Sequence, residues 1–87
     1  MKIVYDEIKR KLNLEKQGLI FLALDMEFFH RALVVETRLN RLKAIGFFND
    51  GKISVVFFRL GSEGISIISM RAASRMERKL YEQCQEF

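Results

Sequence analysis

Hydrophobic and polar positions change their period three times along this chain. Residues 2–5, "KIVY", read as a short strand; from Asp6 to about Gln17 the period becomes helical, with Ile8 and Leu12 one turn apart. Asp6 suits the N-cap, because its short carboxylate accepts from backbone N–H groups that lack a helical partner. Gly18 suits the other end, where a left-handed residue closes the last turn. Dense apolar residues predict a second helix over about 21–29, its water side marked by Asp25 and Glu27, with His30 just beyond it.

After His30 the period falls to two. "ALVVE" (32–36), "RLKAIGFFND" (41–50), "GKISVVFFRL" (51–60) and "ISIISMR" (65–71) read as successive strands. Asp50-Gly51 is a hairpin signal, since both central residues of a type I′ turn need positive φ, and "GSEG" (61–64) holds a second turn. Two-residue turns at Asp50-Gly51 and Ser62-Glu63 would set Leu42 and Ser66 opposite Arg59. Arg59 would then lie in mid-sheet on the face of Ile53, Val55 and Phe57.

The last helix is announced by Ser74 and Glu77, spaced as a capping box. Met76, Leu80, Cys84 and Phe87 form one apolar stripe predicted to pack on the sheet, leaving Arg75, Arg78, Lys79 and Glu82 outside. Arg71 is thus held between a strand and a capped helix, with only Ala72 and Ala73 between. The expected fold is α+β: a small antiparallel meander with two N-terminal helices and one C-terminal helix, forming a single domain over residues 1–87.

Composition narrows what such a domain does. Eight Phe residues and an apolar content near half separate it from disordered segments. A net charge of +4 favours a polyanionic partner, nucleic acid or an acidic protein. The single cysteine, Cys84, excludes an internal disulfide and a cysteine zinc cluster, and fits the reducing cytoplasm. The N-terminus lacks the apolar core of a secretory signal, and the longest apolar run, 19–24, is too short to span a bilayer. A soluble protein is expected, with no membrane association.

No metal, nucleotide or nucleophile motif is present, so no cofactor is expected. What remains is a set of cations and phenols around a sheet. That set suits cleavage of RNA by its own 2′-hydroxyl, which needs a base, an acid and cations that hold the phosphorane charge. Guanidiniums serve the last purpose, making Arg59 and Arg71 the candidates. Proton transfer would fall to Lys9, Lys16, Tyr5 or Tyr81. Plainer readings stand beside these: Lys9, Arg10, Lys11 and Lys16 as a solvated helix face, Arg59 as a sheet arginine paired with Glu36 or Glu63, Tyr81 as a half-buried helix residue, and Cys84 as packing.

Three segments together resemble the BrnT toxin family. "YDEIKRKLNLEKQG" resembles W-D-x-x-K-x-x-x-N-x-x-K-H-G, with Asp6, Lys9, Asn13, Lys16 and Gly18 in place. "RLKAIG" resembles R-W-x-A-I-G, and "ISIISMRAASRMERKLYE" resembles R-I-I-S-A-R-x-A-x-x-x-E-R-x-x-Y-E. The resemblance implies a RelE-like ribonuclease toxin of a type II toxin–antitoxin system that inhibits translation by cutting RNA. It further implies a BrnA-type ribbon-helix-helix antitoxin, in a heterotetramer that binds operator DNA. Lys9, Lys16, Arg59, Arg71, Glu77 and Tyr81 match motif positions. The expected site has Arg59, Arg71, Lys16 and Tyr81 as catalytic residues, with Lys9, Gln17, Arg75 and Glu77 on the RNA.

Departures accompany the match. Gln17 stands where the motif has His, and an amide cannot exchange a proton near neutral pH. Tyr5 and Leu42 replace Trp, Ser66 replaces Arg, Met70 replaces Ala, and Phe58 stands where Thr is frequent. Two alternatives therefore remain: a weakened or inactive member acting through antitoxin binding and operon repression, and a basic domain that binds RNA without cutting it.

Overall fold

The computed structural model describes residues 2–19, 21–48, 51–61 and 64–85. Five strands, β1 (Lys2–Tyr5), β2 (Leu33–Glu36), β3 (Leu42–Phe48), β4 (Gly51–Leu60) and β5 (Gly64–Ala72), form one sheet in the order β1-β5-β4-β3-β2. Strands β2 to β5 make the expected antiparallel meander. Strand β1 joins β5 in parallel, so the sheet is mixed. The helices are α1 (Glu7–Gln17), α2 (Met26–Arg31) and α3 (Arg75–Gln85).

Helix α1 starts and stops where its caps require. The Asp6 carboxylate accepts from the N–H groups of Ile8 and Lys9, and Gly18 takes φ 68° while its N–H returns to the Leu14 carbonyl. Its expected apolar stripe is not what it buries: Ile8 and Leu12 are exposed, and Asn13 is buried instead. The Asn13 side chain accepts from Met70 N at 2.9 Å and donates to the Leu19 carbonyl at 3.4 Å. Strand β1 ends opposite Ile67, so Asn13 satisfies an N–H on the stretch of β5 edge that β1 leaves bare.

The second predicted helix is split. Residues Phe21–Ala23 form one 3₁₀ turn, and Asp25 caps α2 by accepting from Phe28 N, which places His30 inside the helix. Phe21, Leu24 and Phe28 drop from this region onto Ala44, Val55, Phe57, Ile67 and Met70, forming the core on one face of the sheet. Each fully buried Phe contributes about 1.5–3 kcal/mol. Gly46 lets α2 approach: a Cβ there would lie 3.1 Å from Phe28 and 3.3 Å from Ala32.

Both hairpin registers differ from expectation. Phe48 pairs with Gly51, so Leu42 faces Phe57 rather than Arg59; Asp50, one half of the expected turn, lies outside the described residues. Leu60 pairs with Gly64, which slips β5 by one residue and sets Arg59 opposite Ile65 and Ser66 opposite Phe58. Ser62 and Glu63, the other expected turn, lie outside the described residues. Arg59 keeps its predicted face but sits exposed near the end of β4, not in mid-sheet.

A bulge then changes which way β5 points. Phe57 pairs with Ile67, yet Val56 pairs with Ser69, leaving Ile68 as the extra residue. Strict alternation from Ile65 and Ile67 would send Arg71 into the core. The bulge reverses the parity, so Met70 enters the core and Arg71 turns to the opposite face. Helix α3 packs on that face, rotated from expectation. Glu77 and Tyr81 face the sheet, whereas Met76 is 81% exposed and Leu80 and Cys84 are also exposed. Phe87, the last member of the predicted stripe, lies outside the described residues. The rotation follows from ion pairing by Glu77 and from the contact of Tyr81 with Phe47.

Candidate functional site

The site grows from the β5–α3 junction. Ser74 and Glu77 form the predicted capping box: Glu77 N donates to the Ser74 hydroxyl at 3.2 Å, and Ser74 N donates to Glu77 Oε1 at 2.8 Å. This fixes the Glu77 carboxylate under the first turn of α3, where it meets the strand residues below. Arg71 donates twice, Nη1 to Oε1 at 2.7 Å and Nη2 to Oε2 at 2.8 Å. Lys43 Nζ lies 2.9 Å from Oε2, and the Ser54 hydroxyl donates to Oε2 at 3.3 Å.

Burial pushes the Glu77 carboxyl upward, but hydrogen bonds from Arg71, Lys43 and the Ser74 backbone outweigh it. The group ends well below the ordinary carboxylate range. It is therefore an anion throughout the neutral range and a poor proton acceptor. Its physical role is to hold two cations at fixed places on one sheet face.

Arg71 is not used up by this grip. A guanidinium has five N–H donors. One on Nη1 goes to the Ala72 carbonyl and two, on Nη1 and Nη2, go to Glu77. The remaining two, on Nε and Nη2, share one edge and point in parallel. Among the described residues these two donors meet no acceptor, and with the side chain 40% exposed that edge can take an oxyanion and matches two phosphate oxygens. Lys43 retains two donors beyond its bond to Glu77.

The residues expected from sequence are thus partly assembled. Arg71 and Glu77 meet directly, and Arg75 is exposed at the first position of α3. Tyr81 lies one turn beyond Glu77, buried, with its ring 5.6 Å from that of Phe47 and Lys52 Nζ 5.8 Å from its centroid. Lys9, Lys16 and Gln17 are exposed on α1. Their spacing places them on the helix side that carries Asn13, the side turned to β5 beside Arg71. Arg59 lies on the opposite sheet face and makes no ion pair with Glu36; Glu63, its other expected partner, is outside the described residues.

Lys43 and Ser54 escaped the sequence reading. The available signal was alternation: Lys43 sits between Leu42 and Ala44, which belong to the core side, so its side chain had to project from the other face. His30 lies apart from Arg71, in a cleft of about 660 Å³ that it lines with Phe28, Phe47 and Tyr81. Among the described residues, no three His, Cys, Asp or Glu side chains converge as a metal site would require, and no helix is long and apolar enough to cross a membrane.

Comparison with known proteins adds the identity of the scaffold. Residues 5–77 match the family model described as the ribonuclease toxin BrnT of type II toxin–antitoxin systems. The crystal structure of the Brucella abortus ribonuclease toxin BrnT is similar, at 51% sequence identity and a TM-score of 0.82, covering 86% of this chain and 99% of that one. No curated protein sequence matches it. The family match spans most of the chain and the structural match nearly all of the Brucella protein, so this chain belongs to the BrnT family of ribonuclease toxins from type II toxin–antitoxin systems.

Proposed function

We propose that the chain cleaves RNA by metal-independent transesterification at the Arg71–Lys43 site and so inhibits translation. The observation that carries this reading is the open Nε/Nη2 edge of Arg71, a two-pronged donor held in place by a buried carboxylate. A phosphodiester gripped there has its non-bridging oxygens on Arg71. As the 2′-oxygen attacks, a bond from it to phosphorus forms, the bond to the 5′-oxygen breaks, and the 2′-hydroxyl proton leaves to water, while the ammoniums of Lys9 and Lys16 add positive charge near the RNA. Lys43 sits where an ammonium can stabilise the phosphorane and protonate the departing 5′-oxygen. The products are a 2′,3′-cyclic phosphate and a 5′-hydroxyl. Glu77 positions both cations, and Arg59 has no place in this grip because it occupies the other face.

The partner in this proposal is a BrnA-type ribbon-helix-helix antitoxin, forming a heterotetramer on operator DNA. Exposed apolar side chains on α1 and α3, among them Ile8, Leu12, Met76 and Leu80, support a protein kept in complex. Gln17 favours a second reading, a disarmed toxin that still binds antitoxin, because its amide lies on the α1 side facing β5 and neither takes up nor gives up a proton as an acid or base near neutral pH.

Induction of the wild type and of Gln17→His, with total RNA examined on a gel, separates the two. Growth arrest with RNA loss in the wild type supports cleavage. A harmless wild type with a toxic Gln17→His variant replaces it with the disarmed reading.

A further inference from the structure

Helix α3 covers only part of the sheet face on which Arg71 lies. Its side chains Glu77, Tyr81 and Glu82 reach the strand residues from Lys43 and Ser54 to Phe47 and Lys52. The same face carries Val56 and Ser69 level with Lys43 and, toward the start of β3, Phe58 and Ser66, all half-buried, with Phe58 paired to Ser66 and Val56 to Ser69. Arg41 precedes Lys43 by two residues and so points to this face as well. Its guanidinium carbon sits 5.5 Å from the Phe58 ring centroid, and its Nε is buried with no acceptor among the described residues.

Arg41 is also delivered rigidly. Leu39 and Asn40 both take positive φ, 59° and 61°, in a tight turn closed by Arg41 N donating to the Arg38 carbonyl. A left-handed leucine is strained, and strain of this kind persists where the surrounding structure fixes a geometry. The Arg41–Phe58 pair borders a cleft of about 380 Å³ whose walls include Thr37, Asn40 and Arg59. Ser54, beside the Arg71 grip, and Phe58 are four residues apart on β4, about 13 Å along an extended strand.

We infer that the Arg41–Phe58 pair is a stacking platform for a base of single-stranded RNA whose scissile phosphate is held at Arg71 and Lys43. This rests on the RNA-cleaving reading above and names a second contact for its substrate. The chemistry fits a nucleobase. A planar cation held over an aromatic ring offers a π-face to a base and a positive edge to the backbone, and a sheet face with such a pair suits RNA bases splayed flat. The buried Nε of Arg41 gains an acceptor when a base carbonyl or ribose oxygen enters. The serines flooring the face add donors without blocking it.

The test uses a fluorescently labelled, mixed-sequence 2′-O-methyl RNA, which cannot be cleaved, for binding, and the corresponding ribo-oligonucleotide for cleavage. Phe58→Ala should weaken binding about tenfold or more, in the range expected for one lost stacking contact. In cleavage it should act mainly by raising KM, and Phe58→Tyr should restore both. Arg71→Ala should act mainly on kcat. Phe58→Ala with wild-type binding and KM overturns the platform while leaving the Arg71 site standing. A wild type that does not bind the oligonucleotide overturns it as well. If Phe58→Ala binds RNA normally but escapes neutralisation by the antitoxin, the face belongs to the protein partner and the inference is wrong. A wild type that binds the oligonucleotide through Phe58 but never cuts RNA keeps the platform and removes the proposed activity. Thermal unfolding of each variant excludes misfolding, and Phe58→Tyr reads the platform even if Phe58→Ala unfolds.

Discussion

Replacing Glu77 by Gln leaves the shape of the side chain and removes the charge that Arg71 and Lys43 share. The carboxylate accepts from Arg71 twice, from Lys43, from the Ser54 hydroxyl and from Ser74 N. An amide keeps one acceptor oxygen and turns an NH₂ group toward existing donors. Breaking a buried ion pair from one side costs about 3–5 kcal/mol when the orphaned charge stays dry. Here the Glu77 side chain is only 9% exposed, but that of Arg71 is 40% and that of Lys43 25% exposed, so both cations can rehydrate. The cost should therefore fall to about 2–3 kcal/mol, worth about 10–20 °C in Tm for a domain of this size.

The effect has a signature in pH. Because folding depresses the Glu77 pKa, its stabilisation is complete above the ordinary value of 4.5 and is lost progressively as pH falls below it. Thermal unfolding followed by circular dichroism at pH 7 and pH 3 should show a large gap between wild type and Glu77→Gln at pH 7 and a smaller one at pH 3. A gap under about 3 °C at pH 7, or one that does not narrow in acid, would refute the assignment of Glu77 as the anion that holds the site.

Other perturbations test the scaffold. Asn13→Ala orphans Met70 N and should cost about 1–3 kcal/mol, with faster amide exchange at Met70 by NMR. Gly46→Ala drives a methyl against Phe28 and Ala32 and should destabilise by about 1–3 kcal/mol in urea unfolding, with m unchanged. Leu39→Asn relieves a left-handed leucine and should raise Tm by a few degrees, about 0.5–1 kcal/mol.

Local chemistry was the most readable part of the sequence. The caps at Asp6, Gly18 and Ser74 depend on neighbours within a few residues, and each forms as its residue types dictate. The four-strand meander was equally legible, because period-two runs separated by turn residues leave few alternatives. Faces and registers were not. Ile68 carries no mark of a bulge, yet that one extra residue decides that Arg71 points to α3 and not into the core. Met76, Leu80 and Cys84 form a good amphipathic stripe on paper. Long-range pairing of Glu77 with Arg71 and Lys43 outweighs it and turns the helix so that the stripe faces water. Arg71 and Glu77 were found as site candidates, but Lys43 was missed because its partner lies thirty-four positions away in sequence.

Cleavage of a labelled single-stranded RNA by purified, antitoxin-free wild type and Arg71→Ala, both shown to be folded, tests the central claim most directly. The account predicts fragments ending in 2′,3′-cyclic phosphate from the wild type and about 100-fold or greater loss in Arg71→Ala, the scale expected on removing a donor to a transition-state oxyanion. Equal cleavage by the two proteins, or none by the folded wild type, would contradict it.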